Sequence, residues 1–504
     1  MFNYKDSNKF FLLVIFFFNL IIHFIPFTRY SVSSDDYAQL EKTIIGLKNF
    51  LFYPERPILY LYMEFQNWLI GANYIAGSFY VFFSNLLIVS LVFYIFDYFT
   101  NNKKISLFLT LLYSLYFSKV EIFHYPTFVH VNIVSSLYLL SILNFLYFIK
   151  YKHFKNYIVS FISYSFAIFW YEIGYLLPLS FFIYYLFNSK FFYLKKIFNI
   201  FLPFALIIIF ALTYRLTNAF GFSEAIIVRS IKFDSLIGFV DVFNILIGRS
   251  FLKNFIYGLF SFYNYSLIVT TILIILNIIF VIYLYKLLCG DIYKLKFNKI
   301  KNIVFFISLL IITLIPNILV GSIGGRNLII PLISVIYLIY LILISIKINF
   351  KVIMILFFIS MIVNQGNNFS QVIASKINYS INEAIQDDNE NIKKAENIVF
   401  DIQSLKNNIP YTLVNNKLNN FNYYFGSQVF EDWGLHAMLR RYSDFSNQNI
   451  YIASSEIKVS KKYLNFHVTN ITGYKEGIFE SKNIPIQNTF IIDYKTIYPN
   501  GFYF

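Results

Sequence analysis

Two adjacent carboxylates, Asp35 and Asp36 in Ser33-Ser34-Asp35-Asp36-Tyr37, stand just beyond the first apolar run of the chain. A charge beside hydrocarbon is costly to hold there, so an acidic pair at a membrane face is a candidate for function, while in a soluble loop it is simply solvated. The chemistry open to such a carboxylate is abstraction of a proton from a hydroxyl. Other polar residues stand out at the margins of apolar runs: Glu64, Lys119, Glu121, His124, Glu172, Arg215 and Arg326. Glu172 in Trp170-Tyr171-Glu172-Ile173-Gly174 and Arg326 in Gly324-Gly325-Arg326-Asn327 lie in very short turns, which hold a side chain close to headgroup level. A His/Glu set at 121 and 124 raises metal binding, but its spacing matches no closed site, and an interfacial His is commonly just hydrogen-bonded.

The elements that must position these residues are membrane helices. Apolar residues make up 58% of the 504 residues and charged ones 13%, with 63 Phe and 43 Tyr, a balance far from that of a soluble domain. Runs of spanning length are read at 10–27, 74–98, 105–120, 131–150, 157–171, 176–188, 197–214, 265–288, 302–320, 328–347 and 350–364, about 20 residues being needed to cross a bilayer. The sequence thus predicts an all-α polytopic membrane protein of about eleven spans. Residues 1–364 form the membrane domain, and residues 365–504 form an amphipathic helix plus a small α/β appendage.

Short cytoplasmic loops are enriched in Lys and Arg. With the N-terminus inside, every inner connection is basic, from Lys5 and Lys9 through Lys103-Lys104, Lys150, Lys190 and Lys286 to Lys347 and Lys351. The outer side then receives the long connections 28–73 and 215–264, the tail, and every polar residue named above. The first run reads as a retained anchor, being long for a signal sequence.

The net charge of +15 does not indicate a nucleic-acid partner: residues 1–364 hold 28 Lys+Arg against 13 Asp+Glu, while residues 365–504 hold 13 of each. The excess therefore belongs to helix orientation. Cys289 is the only cysteine, which excludes an intrachain disulfide and a thiolate metal cluster.

Within the first outer connection, Pro54-Glu55-Arg56-Pro57 opens an aromatic segment through Trp68, predicted to be a helix in the membrane interface. Tyr60, Tyr62 and Trp68 suit the headgroup level, and Glu64, Gln66 and Asn67 supply a polar side. Any interfacial connector would show the same pattern.

In the tail, the apolar positions Val372, Ile373, Ile377, Ile381 and Ile385 predict a long surface helix over 369–408. Strand-like runs follow at Tyr411–Val414, Ile450–Ala453 and Thr489–Tyr494, with a helix near Glu431–Arg441. No glycine-rich phosphate loop, zinc spacing or nucleophile elbow occurs there, which argues against a nucleotide-sugar donor.

Taken together, the chain resembles the GT-C superfamily of membrane glycosyltransferases, including bacterial enzymes that use polyprenyl-phosphate sugars. The likeness rests on an N-in first helix, Asp35-Asp36-Tyr37 opening the first outer loop, and Arg56-Pro57 beginning an aromatic helix. Glu172 followed by Pro178, and Gly325-Arg326 followed by Pro331, extend it. The resemblance implies transfer of a sugar from a polyprenyl-phosphate donor to a hydroxyl of a cell-envelope glycan or lipid, at the outer face of the plasma membrane. One of Asp35 and Asp36 would be the general base, Asp36 being the first choice, and the other would position the sugar or a divalent cation, the one cofactor left open. Arg326, with a guanidinium fork suited to phosphate, would bind the lipid phosphate together with Lys119 and His124. Tyr37, Arg56, Glu64, Glu121 and Glu172 would position substrate. Arg326 as a snorkelling anchor and Glu172 in a structural ion pair are the alternatives.

Two other functions fit parts of the pattern. A transporter or flippase for lipid-linked glycans would need polar residues and broken helices at the midplane in corresponding halves, and no internal repeat is present. An O-antigen polymerase or ligase would use arginines in a large outer loop, as Arg215, Arg229 and Arg249 would be.

Overall fold

A computed structural model describes residues 8–23, 57–70, 73–116, 129–188, 194–220, 235–263, 265–291, 300–320, 325–401, 403–404, 408, 422–424, 427–430, 448–453, 455–470, 478–497 and 499. Over the described residues, the apolar runs read from the sequence are mostly helical. In chain order the helices are α1 (Asn8–His23), α2 (Pro57–Leu69), α3 (Tyr74–Thr100), α4 (Lys103–Leu115), α5 (Val129–Tyr151), α6 (Phe154–Trp170), α7 (Leu177–Asn188) and α8 (Leu194–Phe220). Then follow α9 (Ser235–Leu246), α10 (Arg249–Tyr263), α11 (Leu267–Leu288), α12 (Ile300–Val320), α13 (Ile329–Ser345), α14 (Phe350–Asp387) and α15 (Asn389–Lys394). Among the described residues, five helices are long and apolar enough to cross a membrane: Ile75–Thr100, Val129–Tyr151, Leu194–Arg215, Leu267–Leu288 and Phe350–Asp387. Several of the others, such as Asn8–His23 and Leu177–Asn188, are apolar but shorter.

Asparagines punctuate the bundle. Asn101 takes the left-handed conformation (φ 50°) that ends α3, which Asn tolerates better than most residues. Its neighbour Asn102 caps α4, accepting from the backbone N–H groups of Lys104 and Ile105 at 3.0 and 3.3 Å. Asn73 caps α3 and Asn349 caps α14 in the same manner.

One continuous apolar core runs through α1, α3 to α8 and α11 to α14. Aromatic pairs such as Phe145–Phe181 (4.4 Å) and Phe306–Tyr337 (4.0 Å) lie within it. α8 and α11 sit at its edge: only 17% and 28% of their spanning windows are buried, against 67% for α5. Their outward faces are apolar, with Leu206, Ile209 and Phe210 on one and Ile268, Ile272 and Ile275 on the other, as contact with lipid requires.

The interior is less uniformly apolar than the sequence indicates. Asn19 Oδ1 accepts from Ser114 Oγ (2.7 Å) and Asn85 Nδ2 (3.3 Å). Asn132 Nδ2 donates to Ser84 Oγ (2.9 Å), and Asn277 and Gln365 exchange two amide hydrogen bonds, at 2.8 and 3.1 Å. Among the described residues, Tyr113, Tyr116, Tyr138, Tyr157 and Tyr164 donate their hydroxyls to main-chain carbonyls of another segment. The pairs are Tyr113 to Ile329 (3.0 Å), Tyr116 to Leu246, Tyr138 to Tyr171 (2.8 Å), Tyr157 to Ile200 (2.9 Å) and Tyr164 to Tyr175 (2.7 Å).

Two expectations are corrected. The connection over 215–264 is not simply a long loop: α8 extends to Phe220, and α9 and α10 follow. The residues after 364 do not begin a separate surface helix. α14 is one 38-residue helix that runs through position 364, and its residues 363–375 are buried on every face. Helix also stops short of 408, because residues 397–401 form a strand.

The C-terminal region is a small mixed sheet. β1 (Asn397–Asp401) pairs in parallel with β4 (Asn449–Ala453) on one side and β8 (Thr489–Ile492) on the other. β6 (Tyr463–Asn470) pairs antiparallel with β4, β5 (Lys458–Val459) and β7 (Ile478–Pro485). A separate hairpin joins β2 (Asn422–Tyr424) and β3 (Ser427–Phe430). Val399, Ala453, Leu464, Phe466 and Ile484 make the sheet's core. The expected strands at 450–453 and 489–494 are present, the second ending at Ile492 before a short helix, α16 (Tyr494–Ile497). Those at 411–414 and the helix at 431–441 lie outside the described residues.

Candidate functional site

The ends of the bundle differ in chemistry. At one end the basic turns gather. Lys104 Nζ meets Asp291 Oδ2 at 2.6 Å, Lys301 Nζ donates to Asn188 Oδ1 at 2.6 Å, and Lys150 lies 5.5 Å over the Tyr98 ring. At the other end the C-termini of α1 and α4 meet the start of α13 and the middle of α14. Asn364 Nδ2 donates to Leu115 O (2.6 Å), Asn368 Nδ2 to Ile22 O (2.7 Å) and Tyr113 to Ile329 O. In sequence, α1 leads to Asp35, Asp36 and Tyr37, and α4 leads to Lys119, Glu121 and His124. Those residues, and Arg56, lie outside the described residues.

α2 follows Arg56 as a helix beginning at Pro57, as read from the sequence. Leu59, Tyr62 and Gln66 are buried at helical spacing, while Leu61, Phe65, Trp68 and Leu69 are exposed, Trp68 by 80%. The buried stripe lies on α5 and α6. The Tyr62 ring is 5.0 Å from Trp170 and 6.4 Å from His130, and the His130 ring is 5.8 Å from Tyr171. The hydroxyls of Tyr62 and Tyr80 are 2.8 Å apart. Among the described residues, Glu64 Oε1 on α2, an acceptor, and Trp170 Nε1 at the end of α6, a donor, are buried without a hydrogen-bond partner. Buried polar atoms are nearly always paired, so each is a position where a ligand's polar group gains most.

Both short turns are pinned by tyrosines. Glu172 opens the 3-10 turn Glu172–Gly174, and the carbonyls on either side, of Tyr171 and Tyr175, accept from Tyr138 and Tyr164. A Cβ on Gly174 would lie 2.6 Å from the Tyr138 ring, so the turn needs glycine there. Arg326 lies on the 3-10 turn Gly325–Leu328, directly before α13, whose first residue is held by Tyr113. Pro178 and Pro331 both fall in the first turn of the helix that follows, where proline forfeits no hydrogen bond.

Arg215 is built into the packing. Its guanidinium donates to Ile168 O (3.0 Å), in the last turn of α6, and lies 5.0 Å over the Tyr175 ring. A cation at a helix C-terminus complements the dipole. Among the described residues, no group of three or more His, Cys, Asp or Glu is arranged to hold a metal ion. The Tyr62–Trp170–His130 contact was not legible beforehand, because it joins residues far apart in the chain.

No protein-family model matches the chain, and no characterised protein matches it in sequence. Fold and site together define a helical bundle, with five helices among the described residues able to cross a membrane, and a small mixed-sheet region near the C-terminus. The ends of α1 and α4 and the start of α13 lie at the end away from the basic turns.

Proposed function

We propose that the protein is a membrane glycosyltransferase that moves a sugar from a polyprenyl phosphate to a hydroxyl of an envelope glycan or lipid. The observation that carries this reading is the convergence just described. The exits of α1 and α4, the α2 helix and the turn bearing Arg326 share the end of the bundle remote from the lysine-rich turns. Acidic and cationic groups on those segments are what the reaction requires.

In the step itself, Asp36 or Asp35 takes the proton of the acceptor hydroxyl as its oxygen bonds to the anomeric carbon. The bond from that carbon to the phosphate oxygen breaks, and the polyprenyl phosphate leaves with the electron pair. Arg326, Lys119 and His124 stabilise the departing phosphate. Glu64 and Trp170 suit a sugar: a hydroxyl can donate to the unpartnered carboxylate oxygen or accept from the unpartnered indole N–H. The polymerase or ligase alternative is weakened by Arg215, whose guanidinium is already engaged in capping α6.

The test is transfer by the purified protein from polyprenyl-phosphate sugars, repeated with Asp35→Asn and Asp36→Asn. Loss in one or both is expected. Full transfer retained in both variants would sink the catalytic assignment.

A further inference from the structure

The mechanism leaves unused a run of amides in α14: Asn364-Gln365-Gly366-Asn367-Asn368, all buried although polar. A run of this composition normally marks exit into water. Here three of its members reach the C-terminal ends of two other helices. Asn364 Nδ2 donates to Leu115 O at 2.6 Å, the last carbonyl of α4. Asn368 Nδ2 donates to Ile22 O at 2.7 Å and Gln365 Nε2 to Ile21 O at 3.4 Å, both in the last turn of α1. The last four carbonyls of a helix have no intrahelical donor, and a buried one needs a partner from elsewhere. α14 supplies that partner for both helices.

Gln365 is held in turn by its reciprocal pair with Asn277 of α11. Gly366 lets α10 approach so closely that a Cβ there would lie 1.8 Å from Gly258 O. The amide rung is therefore fixed from behind. What it fixes are the ends of α1 and α4, the last described helical turns before Asp35-Asp36 and before Lys119, Glu121 and His124 in the sequence.

We propose that Asn364, Gln365 and Asn368 are positioning residues: they hold the ends of α1 and α4, the helices that lead in sequence to the proposed base and phosphate-binding residues. This rests on the glycosyltransferase reading. The amides touch no reacting atom; they act through the helix ends. Misplacement of a reacting group by about 1 Å costs on the order of 100-fold in rate. Loosening one cap is thus expected to lower kcat by about 10- to 100-fold and leave the donor KM within about twofold.

The test uses Asn368→Leu, which keeps the side chain's bulk and loses the donor, and Asn368→Gln, which retains an amide. Two readouts are taken on the full chain: transfer kinetics, and amide hydrogen exchange over residues 16–40 and 110–128. Asn368→Leu should speed exchange at the end of α1 and lower kcat with KM unchanged, and Asn368→Gln should recover part of both. Unchanged exchange at the end of α1 overturns the holding role, whatever the activity. Faster exchange with unchanged kcat overturns the positioning role. If Asn368→Leu fails to fold, Gln365→Met, which loses the same kind of donor on the same helix end, is judged by the same outcomes. Absence of transfer in the unsubstituted protein would overturn the glycosyltransferase reading, and the catalytic half of this proposal with it, while exchange decides the holding half alone.

Discussion

Gly366→Ala should destabilise the protein although alanine is the better helix former. The opposing terms can be compared. In a helix interior, Ala is favoured over Gly by about 1 kcal/mol. The added Cβ, however, would lie 1.8 Å from Gly258 O and 2.7 Å from Gly258 C, and only the backbone of α10 can relieve that. Restoring even a 3.0 Å contact requires a retreat of about 1.2 Å from the 1.8 Å position. Such a shift would also disturb the Tyr265–Phe369 stack, whose rings are 3.8 Å apart. Overpacking costs about 1–3 kcal/mol, and the upper figure applies where main chain must move. The net loss is then about 2 kcal/mol. Small residues at helix crossings serve this close approach in membranes. The assay is the unfolding midpoint in detergent, compared with Ser360→Ala, whose hydroxyl lies on an outward face of the same helix. A midpoint for Gly366→Ala equal to or above that of the parent would show that α10 and α14 do not touch through their backbones.

Asn277→Leu should cost about 1–3 kcal/mol by stranding the Gln365 amide, and the double variant with Gln365→Leu should lose less than the two single losses combined; a double-mutant cycle on unfolding midpoints measures this. Burial, with the charges of Asp493 and Glu456, holds the Asp401 carboxyl above the usual carboxylate value of 3.8, against opposing backbone N–H bonds from Ser404 and Gln403. The folded chain therefore keeps that proton to higher pH than the unfolded chain, and stability falls as pH rises from 3.8 through the raised value. Asp401→Asn should accordingly raise the unfolding midpoint at pH 7.5, with the gain vanishing below 3.8; an equal gain at both pH values would refute this. Glu64→Gln should lower transfer about tenfold if its buried oxygen accepts from a sugar hydroxyl, and steady-state kinetics with Trp170→Phe alongside would reveal whether the two act on one substrate.

The spans were legible because runs such as 74–98 and 265–288 are apolar for longer than any soluble core needs. α10 was not, since Arg249, Lys253 and Asn254 interrupt its apolar positions and its partner face is a glycine crossing that no hydropathy window registers. The continuity of α14 was hidden for a related reason: five polar and glycine residues in a row read as exit into water, and only α1, α4, α10 and α11 closing around them make the run interior. In the sheet, 450–453 was plain from its apolar run, whereas β1 followed a helical pattern directly and was absorbed into it. The site divides likewise. The turns bearing Glu172 and Arg326 follow from short gaps between runs, but the aromatic contact of Tyr62 with Trp170 spans more than a hundred positions and depends on the fold.

The five tyrosine hydroxyls that reach main-chain carbonyls give the aromatic composition a meaning that mere hydrophobicity lacks. Phenylalanine and tyrosine codons differ by a single base. At residues 113, 138, 157 and 164, that single-base step removes the bolt between two segments, and at 113 and 157 it leaves a buried carbonyl open. The chain's tolerance to drift is therefore narrow at a few rings that look like all the others.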